Sequence, residues 1–125
     1  MKALLENLLK SDEHVKIAYI FGSRIKKDNP LSDIDIAIYT SKDFLWQDYY
    51  LLYGECSKML HSDRLDLVWL NKREPILSFM VIRTGKVMFF RDEEILNDFE
   101  VKAKKRYYDY QLYLKKREKE RGVGL

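Results

Sequence analysis

The chain has 125 residues, of which 46% are hydrophobic and 34% charged, with a formal net charge of +3. This length suits a single domain spanning residues 1–125 that buries about two-thirds of its unfolded surface, and the balance excludes a disordered chain. So small a net charge gives no reason to expect direct nucleic-acid binding, and no apolar run approaches the ~20 residues of a membrane helix.

Cys56 is the single cysteine. It cannot form an internal disulfide, and it falls in an apolar helical stretch where packing is the expected role. The N-terminal Met1-Lys2-Ala3-Leu4-Leu5-Glu6 turns charged too early for a signal peptide. A reducing, cytoplasmic setting is expected.

Leu4, Leu5, Leu8 and Leu9 recur at helical spacing and predict a short amphipathic helix over residues 2–11. A first strand is expected over 15–21. Pro30 biases Asn29 away from helical angles and marks a turn. A second strand follows over 33–39, with Ile34, Ile36 and Ile38 on one buried face. Thr40 or Ser41 can cap a helix over about 43–60. A third strand over 64–70 places Leu65, Leu67 and Trp69 on one face and Arg64, Asp66 and Val68 on the other.

Residues 74–83 are expected to be helical, with Pro75 in the first turn, where its missing N–H is harmless. Thr84-Gly85 ends that helix, and a fourth strand is expected over 86–90. One long helix should run from 93 to about 121, with Leu96, Phe99, Ala103, Tyr110 and Tyr113 near one stripe and a charged, frayed tail over 115–125. The aromatic sets on two helices (Trp46, Tyr49, Tyr50, Tyr53, and Tyr107, Tyr108, Tyr110, Tyr113) suit core packing first and a protein interface second. This order of elements predicts an α/β sandwich: a small mixed sheet with helices mainly on one face.

The chemistry concentrates between the first two strands. Gly22-Ser23 ends the first strand, nine residues follow, and Asp33-Ile34-Asp35 opens the second. Two residues apart in a strand, Asp33 and Asp35 share a face with Cα atoms about 6–7 Å apart. At an effective dielectric of 20 their charges would repel by about 3 kcal/mol. Solvation can carry that cost, or a divalent cation can sit between them. The adjacent Gly-Ser turn favours the cation, because glycine lets a phosphate approach backbone N–H groups and Ser23 adds a hydroxyl. A plain turn with Ser23 as helix cap is the bland alternative.

Mg²⁺ prefers a few carboxylates plus phosphate oxygens and water, and two-ion sites need a third acid. Asp66, flanked by Leu65, Leu67 and Val68, is the candidate, since it could face the pair. An exposed edge aspartate paired with Arg64 is the alternative, and Asp63 is the fallback acid. Arg24, Lys26 and Lys27 could neutralise triphosphate charge or form a solvated basic turn.

The pattern of apolar strand, Gly22-Ser23, nine residues and Asp33-Ile34-Asp35 in a second apolar strand resembles the nucleotidyltransferase superfamily of DNA polymerase β. Within it, the chain resembles the minimal nucleotidyltransferase (MNT) family. The hallmark is specific because residue types, spacing and flanking strands must all agree. The resemblance implies a polymerase-β-like core with its site on the open face and edge of the sheet. It also implies that Asp66 is general base and metal ligand. Arg24 matches the family's Gly-Ser-Arg, whereas Lys26 stands where many members have arginine and Lys27 where they have glycine; Ser32 also matches.

Larger members carry an additional helical domain, for which this chain has no room. The resemblance therefore implies an antitoxin that transfers AMP from ATP, with Mg²⁺ (two ions), to a tyrosine of a helical HEPN-family toxin partner. Two alternatives stay open: a non-catalytic antitoxin that blocks its partner by contact, and transfer to a small molecule with a second subunit completing the site.

Overall fold

The computed structural model describes residues 2–21, 34–60, 65–73 and 75–120. In chain order the elements are α1 (Lys2–Ser11), β1 (Val15–Phe21), β2 (Ile34–Thr40), α2 (Trp46–Leu60), β3 (Leu65–Trp69), a 3₁₀ turn (Leu70–Lys72), α3 (Pro75–Thr84), β4 (Lys86–Phe90) and α4 (Glu93–Glu120). The strands form one sheet in the order β3-β2-β1-β4. β1 is antiparallel to β2 and to β4, and β2 is parallel to β3. A parallel pair cannot close with a hairpin, and α2 is its crossover.

The mixed α/β class is as expected, but the helices divide two and two. Leu5 and Leu9 of α1 and Leu52, Cys56 and Leu60 of α2 pack with Ala18, Ile36, Ile38, Leu65 and Leu67 on one face. Val81 of α3 and Phe99 of α4 pack with Ile17, Tyr19, Ala37 and Val68 on the other. The expectation of helices mainly on one face is thereby corrected. The central strands are apolar on both sides, so both need cover.

Two helix ends also differ from expectation. Neither Thr40 nor Ser41 caps α2, which begins at Trp46. Thr40 is buried and accepts a hydrogen bond from the Trp69 indole (2.9 Å). The Asn71 side-chain amide accepts from the Thr40 N–H and donates to its carbonyl, both at 2.9 Å, which adds a rung beyond the end of β3. The α2 terminus is held instead by Asp48, whose carboxylate accepts the Leu45 N–H at 2.8 Å. The expected frayed tail is helical through Glu120. Its Lys, Arg and Glu residues are good helix formers, and Arg117 donates to the Tyr113 hydroxyl at 3.1 Å.

Among the described residues no helix is long and apolar enough to cross a membrane.

Two buried acids set an alkaline limit on stability. Burial, and then the charge of Glu55, push the Cys56 thiol up to about 12. Burial, and then the hydrogen bond to Glu100 (2.7 Å), raise the Tyr19 hydroxyl. The unfolded chain ionises these groups from their ordinary values of 9.0 and 10.0 upward, while the folded chain keeps its protons. Each therefore contributes stability that is complete below its ordinary value and is lost as pH rises above it, at about 1.4 kcal/mol per pH unit. Urea denaturation between pH 8 and 11 should show this decline, and Cys56→Ala and Tyr19→Phe should each make it shallower.

Candidate active site

The strand directions gather one end of the sheet. The C-terminal end of β1 meets the N-terminal end of β2 with Phe21 opposite Asp35, and parallel pairing sets Asp35 opposite Asp66. A single row therefore runs Phe21, Asp35, Asp66 across three strands. β4 begins at the same end, with Lys86 opposite Ile20.

Asp35 alternates with Ala37, and Asp66 with Val68, so both carboxylates lie on the face that carries α3 and α4. α3 and α4 cover that face around Ala37 and Val68, where the resemblance had implied an open face. Asp35 is half-buried and Asp66 exposed at the end of the sheet. Interstrand spacing puts their Cα atoms about 4.8 Å apart. Two charges about 5 Å apart repel by about 3 kcal/mol at an effective dielectric of 20. Such a pair of hard oxygen donors suits a divalent cation. The charge of Asp66 also reaches Tyr49, whose hydroxyl is raised first by burial and then by that carboxylate.

Asp33, Gly22, Ser23 and Arg24 lie outside the described residues, as do Lys26, Lys27, Ser32, Asp63 and Arg64. In sequence Gly22 directly follows the last residue of β1 and Asp33 directly precedes the first of β2. Among the described residues no group of three potential metal ligands is complete. A cavity of about 520 Å³ opens against residues 92–101 and includes neither Asp35 nor Asp66.

Gly85 supports this end of the sheet. Its N–H bonds the Val81 carbonyl at 2.8 Å. A Cβ there would lie 2.7 Å from the Val81 oxygen, 3.1 Å from the Ile20 oxygen and 3.1 Å from Cβ of Phe21. The first two contacts are backbone and cannot swing away. Gly85→Ala should therefore cost about 1–3 kcal/mol in urea denaturation, in the range of overpacked cores.

Periodicity did not reveal the role of the α2 tyrosines. β3 is an edge strand, and the Tyr49 and Tyr53 hydroxyls donate to its Leu67 and Leu65 carbonyls, Tyr53 at 3.3 Å. They occupy acceptors that would otherwise template pairing with another chain. The i, i+4 spacing of two tyrosines beside an edge strand was the available signal.

No curated protein matches the chain. Residues 4–94 match the family model for Polymerase beta, Nucleotidyltransferase. Among solved structures, the fold is similar to a toxin–antitoxin MntA–HpeT mutant (TM-score 0.79, 22% identity, covering 98% of this chain and 99% of that one). It is similar to a toxin–antitoxin with AMP-PNP (TM-score 0.78, 23% identity, 98% of each chain). It is also similar to a structure of a tri-AMPylated Shewanella oneidensis HEPN toxin in complex with MNT antitoxin (TM-score 0.74, 26% identity, 98% of this chain and 100% of that one). With the family match spanning most of its length and the in-register aspartates at the end of its sheet, the chain belongs to the polymerase β nucleotidyltransferase family.

Proposed function

We propose that this chain, acting as a single cytoplasmic domain, transfers AMP from ATP to a tyrosine hydroxyl of a HEPN-family toxin and thereby acts as its antitoxin. The observation that carries the reading is the pairing of Asp35 with Asp66 on one face of a family nucleotidyltransferase sheet. The likeness to an MNT antitoxin in complex with a tri-AMPylated HEPN toxin supports the acceptor class.

Asp33, Asp35 and Asp66 would hold Mg²⁺, as two ions, through carboxylate oxygens of the hard kind that cation prefers. When bound, Mg²⁺ offsets triphosphate charge and lowers the cost of deprotonating the acceptor. Gly22 allows the triphosphate close to the backbone, and Ser23 and Arg24 bind its oxygens. Asp66, the more exposed acid, takes the proton of the acceptor hydroxyl. The hydroxyl oxygen then bonds to the α-phosphorus as the bond to the bridging oxygen breaks, and pyrophosphate leaves.

Pyrophosphate release tests this reading. Release from ATP should need Mg²⁺, this chain and a HEPN-family partner protein, all together. Equal release without that protein would refute a protein acceptor.

A further inference from the structure

α4 outruns the domain it belongs to. Its 28 residues span about 42 Å. Leu96, Phe99 and Ala103 pack on the sheet face, and Tyr107 stacks on Phe79 of α3 with centroids 4.0 Å apart. Beyond Ala103, seventeen residues extend about 25 Å further as an arm.

The apolar stripe does not end where the core ends. Tyr107, Tyr110 and Leu114 continue the line of Leu96, Phe99 and Ala103 at spacings of three and four, with Tyr113 beside them. Tyr113 is 52% exposed and Leu114 41%. Among the described residues, the ring and hydrogen-bond contacts of the outer arm are with itself: Tyr110 with Tyr113, and Arg117 with Tyr113. The inner Tyr107 hydroxyl likewise accepts from Gln111 at 2.9 Å.

Charge narrows the occupant. Residues 104–120 hold seven Lys and Arg against three Asp and Glu, a surplus of +4 that exceeds the +3 of the whole chain. A second copy of this chain would bring an equally positive arm against it. An acidic protein surface gains from the same charge.

We infer that the Tyr110–Tyr113–Leu114 stripe is the docking surface for the HEPN partner, which would receive it in an apolar groove between helices rimmed by acidic side chains. This rests on the function proposed above and adds where the partner is held. The mode is a helix laid into a groove, with anchors at i, i+3 and i+4. α4 lies on the sheet face that carries Asp35 and Asp66. The arm starts beside Tyr39, Leu70 and Asn71, at the end of β2 and β3 opposite the two aspartates.

The test uses the full chain and a HEPN-family partner protein. Tyr113→Glu and Leu114→Glu place good helix formers at exposed positions, so the arm stays helical, which circular dichroism checks. Each should weaken partner binding in calorimetry by a factor of about 30 or more, as loss of an interface anchor does. Mg-ATP affinity should not change. Asp35→Asn should do the opposite, keeping partner affinity while losing AMP transfer. Wild-type partner affinity in both arm variants would overturn the docking surface even where AMP transfer by the wild type stands. Failure of transfer in the wild type would sink the enzymatic reading instead. A wild-type dimer in sedimentation that Leu114→Glu dissolves would assign the stripe to a second copy and overturn the inference. So would binding of a single-stranded oligonucleotide that the arm variants lose while they keep the partner.

Discussion

Asp66→Asn should lower the rate of AMP transfer by about 10³-fold, with no fall in the urea midpoint. The substitution keeps the size of the side chain and removes its charge. A positioned general base contributes about 10²–10⁴ to rate, and Asp66 also contributes to holding the cation. The exposed position at the start of β3 means that the change costs no packing, since Leu65, Leu67 and Val68 carry it. Pyrophosphate release under saturating ATP and partner measures the rate. A variant within tenfold of the wild type would remove Asp66 from the chemistry and return Asp63 as the third acid.

Withdrawal of Mg²⁺ should weaken ATP binding by about 100-fold in the wild type. Without the cation, the triphosphate would meet carboxylates that already repel one another by about 3 kcal/mol, and that energy corresponds to a factor of about 100 in affinity. Calorimetry with ATP in Mg²⁺ and in EDTA gives both affinities. Asp35→Asn removes one of the two charges paired in register with each other, so its two affinities should differ by less than tenfold. A wild type that binds ATP equally well in EDTA would count against a metal site at these aspartates.

The parts of the site that could be read from sequence were those fixed by short-range rules. Apolar runs along Val15–Phe21 and Ile34–Thr40 pointed to both strands, and an Asp between leucines at Asp66 stood out because a charge in an apolar strand needs a reason. A helical crossover lets β2 and β3 run parallel, but the register that sets Asp35 opposite Asp66 was not legible in the sequence, because it is fixed by packing.

What escaped was tertiary. The tyrosines of α2 read as core because periodicity reports a buried stripe and not a hydroxyl on an edge carbonyl. Thr40 read as a helix cap, whereas its side chain receives the Trp69 indole and its backbone pairs with Asn71, 31 residues away. The two-sided cover of the sheet was written in Ile17, Tyr19 and Ala37. Their burial could be assigned only once α3 and α4 were seen to return across that face.

The most direct test is the intact mass of the HEPN partner after incubation with this chain, ATP and Mg²⁺. The wild type should add one or more AMP units to the partner, and Asp35→Asn, folded with a urea midpoint no lower than the wild type's, should add none. A partner whose mass is unchanged by the wild type, yet which is neutralised equally by wild type and Asp35→Asn, would contradict nucleotidyl transfer and leave an antitoxin that acts by contact alone.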